Sequence, residues 1–179
     1  MRVLDAGCGP GRNLVYLLRS GYEVFAVDAE PVAVGAVRKL AAALAPALPA
    51  ENIRAEPIEH MTFADASFDV VLSSAVMHFA RDDAQFEAML GEMWRVLKPG
   101  GLFFCRLASS IGMEARVRRL HGRWHALPDQ SERYLVDEAR LLELTRALGG
   151  VLVDPLKTTV VQDQRCMTTW VVRKPVRRV

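Results

Sequence analysis

The sequence predicts an α/β protein of the Rossmann-like, doubly wound type, and three observations carry that prediction. Short apolar runs alternate with longer stretches of helical spacing, the pattern of a parallel sheet with helices on both faces. The first apolar run ends in three closely spaced glycines, Gly7, Gly9 and Gly11, ahead of a helix-like stretch. The C-terminal part holds two β-rich runs separated by four polar residues, too few for a connecting helix, so they form an antiparallel pair.

In chain order, buried strands are predicted at Val3–Ala6, Glu23–Val27, Ile53–Glu56, Phe68–Ser73 and Leu102–Leu107. Helices fall between them. The first spans Asn13–Ser20. The second, Pro31–Leu44, opens on a proline whose missing N–H costs nothing in a first turn. The third, Ala84–Leu97, puts Phe86, Met89, Leu90, Met93 and Leu97 on one face, with Asp82 as N-cap. A last helix, Asp137–Leu148, stops at Gly149-Gly150. Val151–Val161 and Cys166–Lys174 complete the sheet. Ser109–Arg133 is the least regular stretch and reads as a partly helical, variable insertion within one domain covering residues 1–179.

Composition agrees with this and excludes other classes. The chain has 179 residues, 51% hydrophobic and 25% charged, enough to bury a core without staples. A net charge of +2 gives no global nucleic-acid footprint. The longest apolar run, Ala41–Ala50, contains Pro46 and Pro49 and is too short to span a membrane. Met1-Arg2 leads straight into strand residues, so no signal peptide is read. Cys8, Cys105 and Cys166 have neither disulfide nor metal-pair spacing and read as buried reduced thiols, which places the protein in the cytoplasm. His121 and His125, four apart, lack the glutamate of a zinc motif, and no metal site is predicted. Arg116, Arg118, Arg119 and Arg123 in the same stretch either steer an anionic ligand or form a solvated helix face, and Arg173, Lys174, Arg177 and Arg178 at the end read as a solvated tail.

The glycine loop carries the chemistry. Gly7 and Gly9 permit a sharp turn and close approach of backbone N–H groups to a ligand, and the helix start that follows adds partial positive charge. A dinucleotide loop needs G-x-G-x-x-G, and a Walker A loop needs a Lys-Ser/Thr pair. Here the glycines alternate, Arg12 follows Gly11, and Asp5 precedes Gly7 by two, so a phosphate cradle is disfavoured. Asp28, at the end of the second strand, suits a ribose diol, whose two hydroxyls a carboxylate can accept.

Asp5 to Gly11 and Asp28 together resemble the first motif and the following acidic strand end of class I S-adenosylmethionine-dependent methyltransferases. Ala64–Val71 resembles that family's entry to the fourth strand, and Leu97–Gly101 the turn before the fifth. Gly11-Arg12-Asn13 and Ser20–Val24 resemble the small bacterial tellurite/thiopurine-resistance type. The resemblance implies a seven-stranded sheet in the order 3-2-1-4-5-7-6 with the last strand antiparallel. It implies S-adenosyl-L-methionine as cofactor and S-adenosyl-L-homocysteine as product. Gly7, Cys8 and Gly9 would line the methionine moiety, Asp5 would orient its ammonium through water, and Asn13 would contact the same end. Asp28 would hold the ribose with Ala29 beside it, and Ser73 and Ser74 would end the fourth strand where a carbonyl receives the ammonium. Where the family often has an adenine-binding Asp, this chain has Pro57; Glu56 and the Ile58 N–H are the replacements.

His78, just past the fourth strand, is the candidate general base, needed only if the acceptor must lose a proton. Family members usually carry one or two lid helices ahead of the first motif; these have no counterpart in this sequence. The expectation is therefore an open cleft whose lid comes from residues 109–133 or from a second copy in a homodimer. The function that follows is methyl transfer to a small-molecule acceptor. Cofactor binding without turnover, and an NAD(P)-dependent oxidoreductase, are the competing readings. Nucleic acid as acceptor is disfavoured, because Ser73-Ser74-Ala75-Val76 stands where a base-methylating motif would.

Overall fold

The computed structural model describes residues 1–176. Its centre is β1 (Arg2–Ala6), buried along most of its length. On one side β1 pairs in parallel with β2 (Glu23–Asp28), which pairs with β3 (Ile53–Ala55). On the other it pairs in parallel with β4 (Phe68–Ser74), then β5 (Leu97–Ala108). The path closes with β11 (Arg165–Arg173), antiparallel to β5, and β10 (Lys157–Val161), antiparallel to β11. The order β3-β2-β1-β4-β5-β11-β10 is the predicted 3-2-1-4-5-7-6. A two-residue strand, β9 (Val151–Leu152), adds to β11 at the side.

The pleat sorts side chains by face. Val24 and Ala26 of β2 join the cluster under α1 (Leu14–Arg19) and α2 (Pro31–Leu44). Phe25 and Val27, one residue out of phase, join the larger cluster under α3 (Asp83–Val96) and α4 (Glu138–Ala147). Two aspartates start the helices on that face. The Asp82 side chain accepts the Gln85 N–H at 2.8 Å and that of Asp137 accepts the Arg140 N–H at 2.7 Å. Trp170 of β11 is fully buried, edge-on to Phe103 of β5 at 5.4 Å, and donates its indole N–H to Thr145 of α4 at 2.9 Å.

The insertion departs from expectation. It contains no helix but a second, three-stranded antiparallel sheet of β6 (Arg118–His121), β7 (Trp124–Ala126) and β8 (Glu132–Tyr134). A two-residue Gly122-Arg123 loop, with Gly122 at φ +49°, turns the first hairpin. The Asp129 carboxylate accepts both the N–H and the hydroxyl of Ser131 in the second. His121 and His125 therefore lie on neighbouring strands rather than one helix face. The insertion is tied down by Trp124, which donates to the Arg81 carbonyl at 2.9 Å, and by Tyr134, stacked on Phe86 and donating to Asp83 at 2.7 Å.

Two other readings change. The run Val151–Val161 is broken between β9 and β10 at Asp154-Pro155, where proline has no ladder donor. Lys174 does not belong to a solvated tail; its ammonium donates to the Trp94 and Leu97 carbonyls at 2.6 and 2.9 Å. Arg173 donates to the Gly100 carbonyl at 3.2 Å. Arg177 and Arg178 lie outside the described residues. All three cysteines are buried free thiols.

Candidate functional site

The order of strands reverses between β1 and β4, and the carboxyl ends of β1, β2, β4 and β5 meet there. A cleft of about 710 Å³ opens at this switch point, the place where open α/β sheets hold ligands. Gly7, Cys8, Gly9, Asn13, Asp28 and Ser74 all line it.

The loop is built differently from a phosphate cradle. The N–H groups of Gly7 and Cys8 both donate to the Val27 carbonyl, at 2.9 and 3.0 Å, and Gly11 donates to the Cys8 carbonyl. The Gly9 N–H donates to the Asp28 carboxylate at 2.8 Å. These amides are already used, and α1 has only six residues and no side-chain N-cap. The donors that Gly7, Cys8 and Gly9 were expected to offer a ligand are spent inside the protein. Gly7 is obligatory for two reasons: it sits at φ +83°, and a Cβ would lie 2.5 Å from a Val76 methyl. Gly11 is constrained in the same two ways: it sits at φ +86°, and a Cβ there would meet Leu40 and Val37 of α2 at 2.9 and 3.1 Å.

Charge at the loop is negative. Asp28 accepts from Gly9 and, at 3.0 Å, from the Glu30 N–H, which fixes its carboxylate at the rim. Asp5 is fully buried beneath the loop, and neither of its oxygens has a hydrogen-bond partner. Burial pushes its carboxyl up to about 7; the nearby Asn13 side chain restrains the rise and Asp28 adds to it. An orphaned buried carboxylate beside a cleft is what a cationic ligand would satisfy. The same surroundings push the Cys8 thiol up to about 12, through burial first and then Asp5 and Asp28, so it is no nucleophile.

Beyond Asp28 the cleft continues into a side cavity of about 190 Å³ that takes in Ala29, Pro57 and Ile58. Glu56 is not brought there. Its carboxylate accepts from the Thr62 N–H and hydroxyl at 2.9 and 2.6 Å and faces Arg54. Glu59, bonded to Gln85 at 2.8 Å, lines the cavity instead. Ser73 is fully buried with an unpartnered hydroxyl and does not face the cleft, whereas Ser74 does.

His78 is 5% exposed and lines a second cavity, of about 280 Å³, which shares Arg12, Ala75 and Arg106 with the cleft. Its Nδ1 accepts the Ala108 N–H at 3.1 Å. The neutral ring then carries its proton on Nε2, and burial, with Arg133 and Arg106 nearby, holds its pKa down at about 4. Both features oppose the general-base role expected from sequence. One nitrogen is occupied, and the other is a donor.

Sequence reasoning missed Ala75, Val76, Phe79 and Arg106, all of which line the cleft. Arg106 had a signal: it is the one charged residue in the otherwise apolar run Leu102–Leu107. Ala75 had none. It adopts φ +64° at the end of β4, and its N–H donates to the Arg106 carbonyl at 2.7 Å.

Fold and site define a Rossmann-like α/β protein with a switch-point cleft lined by carboxylates and arginines both. The chain belongs to the methyltransferase-domain family, whose pattern matches residues 4–105. It is similar to the uncharacterized methyltransferase YodH of Bacillus subtilis, 38% identical over 117 residues covering 65% of this chain and 44% of that one. It is also similar to the malonyl-[acyl-carrier protein] O-methyltransferase of Pseudescherichia vulneris, 33% identical over 151 residues covering 83% and 54%. The chain thus spans about half the length of these relatives. Among solved structures it resembles the Burkholderia thailandensis 1,6-didemethyltoxoflavin-N1-methyltransferase, which was crystallised with 1,6-didemethyltoxoflavin and S-adenosylhomocysteine. There the TM-score is 0.72 at 28% identity, covering 97% of this chain and 71% of that one.

Proposed function

We propose that this chain is an S-adenosylmethionine-dependent methyltransferase domain acting on a small molecule. The observation that carries the reading is the pair of carboxylates at the loop: Asp5, buried without a donor, and Asp28, fixed at the rim. A pyrophosphate would meet the fixed Asp28 carboxylate, and the Gly7, Cys8, Gly9 and Gly11 amides that could cradle it are already spent inside the protein. A ligand with an ammonium and a sulfonium would meet complementary charge, and its ribose diol would reach the Asp28 lone pairs left free by Gly9 and Glu30. Ala29, Pro57 and Ile58 would flank the adenine, and Gly7, Cys8, Gly9 and Asn13 the methionine moiety. The residues present fit the cofactor.

When bound, the cofactor supplies an electrophilic methyl group with a neutral thioether as leaving group. The protein's share is then mainly positioning, worth up to about 7–11 kcal/mol in favourable cases. Asp5 and Asp28 orient the cofactor along the cleft, and Ala75 and Arg106 stand where the cleft opens into the second cavity. His78 would touch the acceptor as a hydrogen-bond donor through Nε2, not as a base.

Calorimetry with S-adenosylhomocysteine tests this. The chain should bind it in preference to NAD, and Asp28→Ala should weaken binding at least 30-fold, on the order of the 2 kcal/mol carried by charge-assisted hydrogen bonds. Preference for NAD would overturn the assignment, and unchanged affinity in the variant would remove Asp28 from the site. Binding without transfer to any acceptor would leave the cofactor-binding reading in its place.

A further inference from the structure

The second cavity has a composition unlike the first. Four arginines line it, Arg12, Arg106, Arg133 and Arg165, against a single carboxylate, Asp129. That carboxylate accepts the Ser131 N–H and hydroxyl at 3.0 and 2.5 Å and also feels Arg133 and Arg165, so one negative charge offsets four arginines only in part. Arg106 rises from the middle of the sheet, is half-buried, and has no side-chain hydrogen bond or ion pair among the described residues. Arg133, from β8 of the insertion, has its guanidinium over the Phe79 ring at 4.9 Å and makes one hydrogen bond, to the Glu132 carbonyl at 2.7 Å. That leaves most of its fork unused. Arg165 comes from β11, so three separate elements converge their charge on one small space. His78, neutral and donating through Nε2, adds a further donor and no negative charge.

Several guanidinium groups gathered in a cavity, with half-buried members left unpaired, repel one another and cost stability unless a ligand compensates. The cofactor's own carboxylate does not explain them. Arg133 and Arg165 line only the second cavity, and the cofactor cleft reaches no further than Arg12 and Arg106. We infer that the second cavity is the acceptor subsite and that the acceptor is a small oxyanion, a carboxylate or phosphate bearer, gripped by Arg106, Arg133 and Arg165. This rests on the methyltransferase reading above and names its substrate class. The insertion thereby gains a function, since β8 supplies one arm of the grip and closes the cavity over the sheet. The near-neutral net charge of the chain conceals this local field, because the positive groups are collected rather than numerous.

The test is a titration of the full chain, saturated with S-adenosylhomocysteine, by inorganic phosphate and separately by acetate, with acetamide and chloride as controls. Arginine Nε–H resonances are followed by NMR. Those of Arg106, Arg133 and Arg165 should shift together along one saturable curve for phosphate or acetate and stay still for acetamide. The tighter of the two anions tells a phosphate bearer from a carboxylate. Arg133→Met should weaken the anion at least tenfold, the scale of one charge-assisted bidentate contact, while S-adenosylhomocysteine affinity is unchanged. Arg133→Lys should fall between, because it keeps the charge and loses the fork. Linear, unsaturable shifts, equal response to chloride, or an anion affinity indifferent to Arg133→Met would overturn the proposal. Failure of S-adenosylhomocysteine to bind would instead strike the cofactor assignment. The anion titration would then be run on the chain alone and decide the subsite independently.

Discussion

Asp5 and His78 are two buried titratable groups with opposite effects on stability. The Asp5 carboxyl is raised from its ordinary 3.8 to about 7, so between pH 4 and 7 it ionises in the unfolded chain while staying protonated in the folded one. Stability from this group therefore falls as pH rises through that window. His78 is lowered from 6.5 to about 4, so the unfolded chain binds the extra proton and stability falls as pH drops through 6.5. From about pH 4.5 to 6.5 the two slopes oppose each other. Urea denaturation of the ligand-free chain should accordingly vary little there, Asp5→Asn should expose a loss towards acid, and His78→Gln a loss towards alkali. At pH 8 Asp5→Asn should stabilise the free chain, on the order of 2 kcal/mol, by removing an unpaired buried charge. The same substitution should weaken S-adenosylhomocysteine. In the native chain the ligand's ammonium favours ionised Asp5, so binding at pH 6 should release a proton, seen as a calorimetric enthalpy that depends on the buffer's ionisation heat. An enthalpy independent of buffer would separate Asp5 from the ligand.

At the scale of elements, legibility followed burial. α2 and α3 were readable because Val34, Val37 and Ala41, or Phe86, Met89, Leu90 and Met93, repeat at helical spacing against a core, and their starts are marked by Pro31 and Asp82. Asp82→Ala should cost about 1 kcal/mol in urea unfolding, the usual value of an N-cap, and leave cofactor binding alone. β6, β7 and β8 were not readable, because they are only three or four residues long, mostly half-exposed and rich in Arg, His and Glu, with no sustained alternation to mark them. The four-residue spacing of His121 and His125 then imitates a helix, and only Gly122 marks the hairpin. The insertion holds its place through a few long-range bonds and a small cluster, Leu127 and Leu135 against Ala108 and Met167, rather than a large core. Trp124→Phe, which removes the donor to the Arg81 carbonyl, should therefore speed hydrogen exchange across β6–β8 with little change in global stability. Equal loss of protection in the main sheet would show that the insertion folds as one unit with it.

For the whole molecule, the cleft exists because a parallel sheet reverses its order at β1 and β4, and the antiparallel end pair holds that sheet against its second helical layer. The topology could be read from sequence because a four-residue gap admits no helix. What converges at the switch point could not, since Arg106, Arg133 and Arg165 are 59 residues apart at the extremes and no local pattern joins them. Trp170 is the residue on which the end pair depends: it joins β11 to Phe103 of β5 and, through Thr145, to α4. Trp170→Ala should cost about 3–5 kcal/mol through the cavity it leaves. Trp170→Phe should cost less, because Thr145 still donates its hydroxyl to the Leu141 carbonyl and is not orphaned. Both should leave the intrinsic affinity for S-adenosylhomocysteine unchanged in molecules that remain folded, since no atom of the cleft is altered. The ligand should then raise the unfolding midpoint of the wild type and of each variant by the same free energy at a given concentration. A variant that stays folded but loses the ligand's stabilising effect would mean that the far edge of the sheet shapes the cleft directly.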